Sequence, residues 1–372
     1  MLKNYMSILT LNEREDNIKG LTKNRPLASI PFGGRYRIID FIISNLVNSG
    51  VKNIGLITQS NSRSLIDHLG SGKPWDLDRK ISGLFVFNFS AFSNNINDIE
   101  ILKNNMEYLY RSKEKYVILS SSYMVCNIDF YEAAEFHEKS KADVTLIYKK
   151  IKTGREEFLE CDCLNIDDDS NILSVGKNIG VHKELNISME MFILKKEILI
   201  DYIYKCIETG YFQTLKSALN NNFLNLKFNA YEFNGYLRCI NSTKSYYRAN
   251  MDMLNTEVNE ELFFKYGYIK TKVMDEAPTK YTDDSNVKNS LVANGGVIEG
   301  NVEDSIIFRR VKIGKGAVIK NSIIMQNCVI KEDAHIFNTI VDKNVVIEES
   351  KTLVGDKDIP LVIEKVPIYD RR

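Results

Sequence analysis

Ile313-Gly314-Lys315-Gly316-Ala317-Val318 decides how the C-terminal part of this chain folds. Read outward from it, aliphatic residues recur every five or six positions: Val302, Ile307, Ile313, Ile319, Met325, Ile330, Ile336, Val341 and Ile347. Such a period matches neither the 3.6 of a helix nor the 2 of a half-buried strand. It matches a β-helix with triangular coils, in which each flat side uses one hexapeptide and turns its aliphatic residue inward. A coil buries that residue only by stacking on the next coil, so several are needed. The pattern predicts a left-handed parallel β-helix over residues 286–372.

Upstream, residues 251–285 read as a linker, and residues 1–250 alternate strand and helix signals. Lys52–Thr58, Lys115–Ser120 and Ala142–Tyr148 are short apolar runs of the kind that form buried strands. Tyr36–Ser49 has helical spacing, with Ile38, Ile42 and Leu46 on one row and Ile39, Ile43 and Val47 on the next. Gly50 then supplies the stop. Strands alternating with helices imply crossover connections, hence a doubly wound α/β domain with a mostly parallel sheet. Ligands bind beyond the carboxyl ends of the strands in such sheets.

Of 372 residues, 44% are hydrophobic, enough for two cores. Lys plus Arg and Asp plus Glu are equal at 49 each, so no bulk charge draws the chain to nucleic acid or to an anionic membrane. No apolar run is long enough for a signal peptide or a membrane span, and six scattered cysteines suit reduced thiols in a cytoplasmic protein.

Pro31-Phe32-Gly33-Gly34-Arg35-Tyr36-Arg37-Ile38-Ile39-Asp40-Phe41, followed by Ser44-Asn45 and Asn48-Ser49-Gly50, closely resembles the bacterial ADP-glucose pyrophosphorylases. Thr58-Gln59-Ser60, Ser64-Leu65, His68-Leu69, Asn186-Ile187-Ser188-Met189, the segment Tyr247–Asn250 and the hexapeptide tail continue the likeness over nearly the whole chain. The resemblance implies a nucleotidyltransferase domain ahead of the β-helix. It also implies the family reaction, in which ATP and glucose 1-phosphate give ADP-glucose and pyrophosphate with Mg²⁺, feeding glycogen synthesis.

The departures fall on the chemistry. A reaction between charged phosphates needs metal to neutralise charge and basic groups to hold the triphosphate. The family's phosphate loop is rich in Gly and carries an Arg. Here it reads Leu11-Asn12-Glu13-Arg14-Glu15-Asp16-Asn17-Ile18-Lys19-Gly20, with three acids and Asn17 at the Arg position. Leu27 stands at the family's catalytic Lys. Ser122 and Cys239 stand at its two metal-binding Asp positions, and neither a hydroxyl nor a neutral thiol suits Mg²⁺. The family's Gly-Thr-Ala-Asp-Ala motif is unrecognisable around Asn95–Met106.

The chain therefore looks like the second, non-catalytic subunit type of some bacteria. The expectation is a regulatory, catalytically deficient subunit in a hetero-oligomer, a tetramer, with a catalytic ADP-glucose pyrophosphorylase subunit. Mg²⁺ is expected only in that partner, and no cofactor in this chain. By resemblance Gln59, Lys177 and Ser188 are vestigial substrate contacts. Each has a plainer reading: a strand-end cap, an exposed turn lysine and a strand-edge hydroxyl. Arg35 and Arg37, with Asp40 as a partner, either meet an anionic effector such as a sugar phosphate or a nucleotide, or make interdomain ion pairs. His335 invites comparison with the histidine base of hexapeptide acyltransferases, and a structural coil residue is the simpler reading. Asp167-Asp168-Asp169 reads as a solvated turn. Two other accounts stay open: a weakly active enzyme with Asp129 or Asp252 as a substitute ligand, and a purely structural subunit without a ligand pocket.

Overall fold

The computed structural model describes residues 1–58, 62–88, 98–210, 214–221 and 226–365, and these divide into two compact units. One comprises Met1–Glu13, Phe41–Cys239 and Phe263–Lys270; the other comprises Arg14–Asp40, Ile240–Leu262 and Thr271–Arg372.

The first unit is built on a nine-stranded mixed sheet. Its parallel half has Gly83–Asn88, Asn53–Thr58, Tyr5–Leu11 and Tyr116–Ser120 side by side, with Ile8 opposite Gly55 and Leu119. Beyond Tyr116–Ser120 the direction reverses. Leu185–Lys195 runs antiparallel to Tyr116–Ser120 on one side and to Val144–Ile151 on the other, and Phe228–Glu232 pairs parallel with Val144–Ile151. Successive strand residues face opposite sides of the sheet. Met6, Ile8, Val117, Leu119, Val144, Leu146, Phe192 and Leu194 accordingly share one core with Leu199, Tyr202 and Ile203 of the helix Lys196–Thr209 and with Leu102, Met106 and Leu109. The helix expected over Tyr36–Ser49 spans Ile38–Asn48. Gly50 follows at φ 100°, where a Cβ would lie 2.9 Å from the Leu2 nitrogen, so only glycine fits that stop.

The second unit contains the left-handed β-helix, three parallel five-stranded sheets that meet at the corners of triangular coils. Lys312 pairs with Val329 and Val329 with Val346, a coil of about seventeen residues, close to three hexapeptides. Val302, Ile307, Ile313, Ile319, Ile330, Ile336, Val341 and Ile347 form the inner column as expected. At the remaining position Ile324 takes the inward place, and Met325 beside it is buried outside that column. Ile306–Ile307, Ile323–Ile324 and Thr339–Val341 are buried on both faces.

The corners use left-handed residues. Asn289, Asp304, Asn321 and Asn338 stack with φ between 40° and 49°, and Asn and Asp tolerate that region better than other side chains. Beside them runs a ladder of hydroxyls. Ser290 Oγ accepts from the Ser305 N–H (3.1 Å), Ser305 Oγ from Ser322 (3.1 Å), and Ser322 Oγ from Thr339 (3.2 Å).

In the same unit the block Pro31–Asp40 folds as a hairpin, Pro31–Phe32 against Tyr36–Arg37. The helix Thr243–Asp252 holds it: Tyr246 donates its hydroxyl to Pro31 O at 2.7 Å, and Asn250 Oδ1 accepts the Gly33 N–H at 2.9 Å. Tyr247 donates to Asn321 O at 2.6 Å, which ties that helix to a β-helix corner.

Candidate functional site

Ser122 follows the strand Tyr116–Ser120, at the carboxyl end of the parallel half of the sheet. It is fully buried, and both its N–H and its hydroxyl donate to Glu13 Oε1 at 2.7 Å. Glu13 is partly exposed as a residue, but its carboxylate turns inward. Burial pushes that carboxyl up to about 7, against the two hydrogen bonds from Ser122 that stabilise its charge.

Two residues on, Met124 pairs with Cys239 across a short antiparallel ladder. Ser122 thus lies two residues from the strand partner of Cys239, the other position that the resemblance assigns to metal. Their surroundings are another matter. Cys239 is buried with its sulfur 3.3 Å from that of Cys161. Burial and the Cys161 contact hold its thiol protonated, well above the ordinary range. Among the described residues no three His, Cys, Asp or Glu side chains form a group that could hold a metal ion. A hydroxyl bonded to a carboxylate and a protonated thiol are poor ligands for a hard cation. The residues present do not fit Mg²⁺.

The centre of the site is an ionic network. Lys216 Nζ lies 3.0 Å from Asp162 Oδ2 and also binds Glu190. Lys177, exposed at its own strand end, donates to Asp162 Oδ1 at 2.9 Å and to Glu160 O at 3.3 Å. Burial would raise the Asp162 carboxyl, but Lys216 and Lys177 override it and hold that carboxyl below its usual value. Lys216 pays for burial too, yet Glu190 and Asp162 push its ammonium above the usual lysine range. Glu190 also accepts from the Tyr123 hydroxyl.

Backbone geometry aims Glu190 at these partners. The register of Leu185–Lys195 against Val144–Ile151 slips between Ser188 and Met191, and Glu190 sits in that bulge at φ 55°. Bulges re-aim side chains, and a left-handed non-glycine residue is strained unless its surroundings fix it. Ser188 Oγ, buried, accepts the Glu190 N–H at 3.1 Å, so this hydroxyl braces the bulge.

Asn17, Leu27, Arg35, Arg37 and Asp40 lie in the second unit. Asn17 is exposed, and its carbonyl accepts from Thr243. Leu27 is a core residue whose N–H donates to Glu15 Oε1 at 2.8 Å. Gln59 lies outside the described residues. Arg35 is exposed over the Tyr36 ring, 5.2 Å from its centroid. Asp40 is buried, and its carboxylate accepts the Arg37 N–H at 2.9 Å.

Cations gather around this hairpin. Burial pushes the Lys343 ammonium down to about 6, and Arg37, Arg25 and Lys365 lower it further while Asp342 opposes them. Burial likewise lowers Arg309, with Arg35 adding to the effect. Arg25 reaches Asp342 at 2.5 Å with both side chains almost fully covered.

His335 lies in a coil strand with its ring stacked near Phe337, and Asp167 caps its own turn by accepting the Asp169 and Asn171 N–H groups. Asp129 caps the helix Phe130–Ser140. Sequence reading placed Glu13 in the acidic loop without its bond to Ser122, and it missed Tyr123, Asp162, Glu190 and Lys216. One signal was available: Glu190 is the only charge in the apolar run Ile187–Leu194.

Comparison with known proteins agrees with this arrangement. Residues 17–158 match the nucleotidyl transferase model, and residues 273–358 match the GlmU-like C-terminal hexapeptide model. The chain is 34% identical to the glycogen biosynthesis protein GlgD of Bacillus subtilis, over 86% of this chain and 84% of that protein. It is 37% identical to GlgD of Geobacillus stearothermophilus, over 81% and 79%. It is 31% identical to the glucose-1-phosphate adenylyltransferase of Mycoplasma mobile, over 86% and 85%.

Proposed function

This chain belongs to the glucose-1-phosphate adenylyltransferase family, and from that membership we propose that it is a regulatory, catalytically deficient subunit acting in glycogen biosynthesis. A catalytic ADP-glucose pyrophosphorylase subunit carries out the reaction in a hetero-oligomer, a tetramer, and only that subunit holds Mg²⁺. Likeness to proteins named GlgD supports the role in glycogen biosynthesis. The observation that carries the catalytic deficiency is Lys216 bridging Asp162 and Glu190. The charges of Lys216, Asp162 and Glu190 are satisfied by one another. A phosphate entering there must break an ion network whose carboxylates are buried but whose lysines reach solvent, so screening keeps the cost below the roughly 3–5 kcal/mol of a fully buried pair.

Three further features support the reading. Glu13 occupies the hydrogen-bond donors of Ser122. Leu27 is committed to the core. Lys177, the one intact sugar-phosphate lysine, is held by Asp162. Arg35, Arg37, Lys343 and Arg309 supply a concentration of positive charge that suits an anionic effector, a sugar phosphate or a nucleotide, because such an anion relieves the repulsion that lowers Lys343. An effector bound there shifts the partner's activity by the difference in its affinity for the active and inactive assemblies.

The test is co-expression with a catalytic homologue, followed by size-exclusion chromatography and kinetics. The expected outcome is a mixed oligomer with altered turnover, substrate affinity or effector response, and little ADP-glucose from this chain alone. Two separate chains with unchanged kinetics would refute the regulatory role. Steady pyrophosphate release by the isolated chain with Mg²⁺ would favour a weakly active enzyme instead.

A further inference from the structure

Cys161 and Cys239 are 78 positions apart in sequence, yet their sulfurs approach to 3.3 Å in the interior of the first unit. Both residues are buried. The approach is not a chance contact of two loose loops. Arg238, next to Cys239, forms an ion pair with Glu157 on the turn that leads to Cys161. Asn178 grips the same turn, its amide donating to the carbonyls of Gly154, Glu157 and Phe158 at 2.9–3.0 Å. Phe158 and Glu160 hold left-handed backbone at φ 55° and 64°, so the turn keeps a shape that a free chain would leave. Cys239 is fixed on its other side by pairing with Met124.

We propose that Cys161 and Cys239 form a reversible intrachain disulfide, a modification site of this protein that takes a small peroxide as oxidant. The Cys161 sulfur attacks a peroxide oxygen, the O–O bond breaks, the thiol proton passes to the departing oxygen, and a sulfenic acid and one water result. The second sulfur attacks the sulfenic sulfur, the S–S bond forms, and the sulfenic oxygen leaves as a second water. Two thiols lose two electrons, and one hydrogen peroxide gains them. Closing the pair to a bond of about 2.05 Å needs little more than 1 Å of sulfur movement.

The neighbours of this pair give the modification a consequence. Cys161 lies between Glu160 and Asp162, the two residues that hold Lys177, and Asp162 also holds Lys216. A bond from Cys161 to Cys239 locks this side of the ionic network to the strand Leu237–Cys239. Burial restricts the reaction to small oxidants and makes it slow, which distinguishes the pair from exposed thiols.

The experiment uses the full chain, reduced and then treated with hydrogen peroxide. Thiols are counted after denaturing alkylation, and tryptic peptides are mapped by mass spectrometry. The expected result is a fall from the six thiols of the sequence to about four, with Cys239 linked to the peptide that carries Cys161 and Cys163. Dithiothreitol restores the lost thiols. Cys163→Ser keeps the link and Cys161→Ser abolishes it. The oxidised form melts higher, by about 5 °C or more, because the bond closes a long loop. Retention of all six thiols, a link through Cys163, or loss that dithiothreitol does not reverse overturns the proposal. The mapping is done on the unaltered protein, so it stands even where a serine variant fails to fold.

Discussion

Asp342→Ala should be among the most damaging single substitutions in the second unit. Arg25 and Asp342 are 2.5 Å apart, with side chains 6% and 5% exposed, so water does not screen them. Charge centres about 4 Å apart attract by roughly 4 kcal/mol at an effective dielectric of about 20, part of which offsets the cost of burying both groups. Removing Asp342 leaves the Arg25 guanidinium with Leu21 O as its neutral acceptor, beside Lys343. An uncompensated buried charge costs about 3–5 kcal/mol. The Lys343 N–H, which donates to Asp342 Oδ1, is orphaned as well. The double variant Arg25→Met/Asp342→Ala removes both charges and should recover much of the loss, giving a coupling of about 2 kcal/mol or more. Urea unfolding followed by far-UV circular dichroism measures each corner of the cycle, and hydrogen exchange of amides 14–40 locates the damage. A cost below about 1 kcal/mol for Asp342→Ala, or additive variants, would refute the argument.

Ile330→Ala, in the inner column between Ile313 and Ile347, should cost about 2–5 kcal/mol in the same assay. Glu13 has a folded pKa of about 7, above the value of an unfolded Glu, so the folded state binds the extra proton. Its contribution is present at pH 4–5 and is lost as pH rises through 7. Melting at pH 8 relative to pH 5 should therefore improve by about 1–3 kcal/mol in Glu13→Gln compared with the parent. Lys216→Met removes the cation that Asp162 and Glu190 share and leaves only Lys177 on Asp162, so its destabilisation should be larger at pH 8 than at pH 5; equal losses at both would count against the network. Ser122→Asp alone should give no measurable ADP-glucose synthesis, because Cys239, Leu27 and Glu13 remain.

The β-helix was legible because each inward position repeats one requirement, an aliphatic side chain, at each turn of the coil. The exchange of Met325 for Ile324 shows the limit of that reading. Ile323-Ile324-Met325 offers three apolar residues in a row, and the strand they serve is covered on both faces, so hydrophobicity no longer tells inside from outside. The strands Asn53–Thr58 and Tyr116–Ser120 were readable as apolar runs. The reversal of direction at Leu185–Lys195 was not, because pairing direction leaves no mark on such a run. The site divides in the same way. Ser122 and Cys239 could be picked out by what they replace. Glu190 needed the bulge, and Asp162 and Lys216, distant in sequence, needed the chain between them to fold back on itself. No local spacing announces such a contact.

The hydroxyl ladder at one β-helix corner restricts which sequences this chain can accept. Each rung is read by the coil after it: the oxygen of Ser305 serves the nitrogen of Ser322, and that of Ser322 serves Thr339. An alanine at position 322 therefore loses one bond to Lys320 O in its own coil and also strands an amide one storey up. The damage appears where nothing was changed. Replacement is tolerated only by a side chain with a short acceptor one bond beyond Cβ, a requirement that Ser290, Ser305 and Ser322 each meet. Single substitutions would thus be judged wrongly by inspecting only the residues around them, and the column has to be treated as one long, vertical word, spelled in hydroxyls.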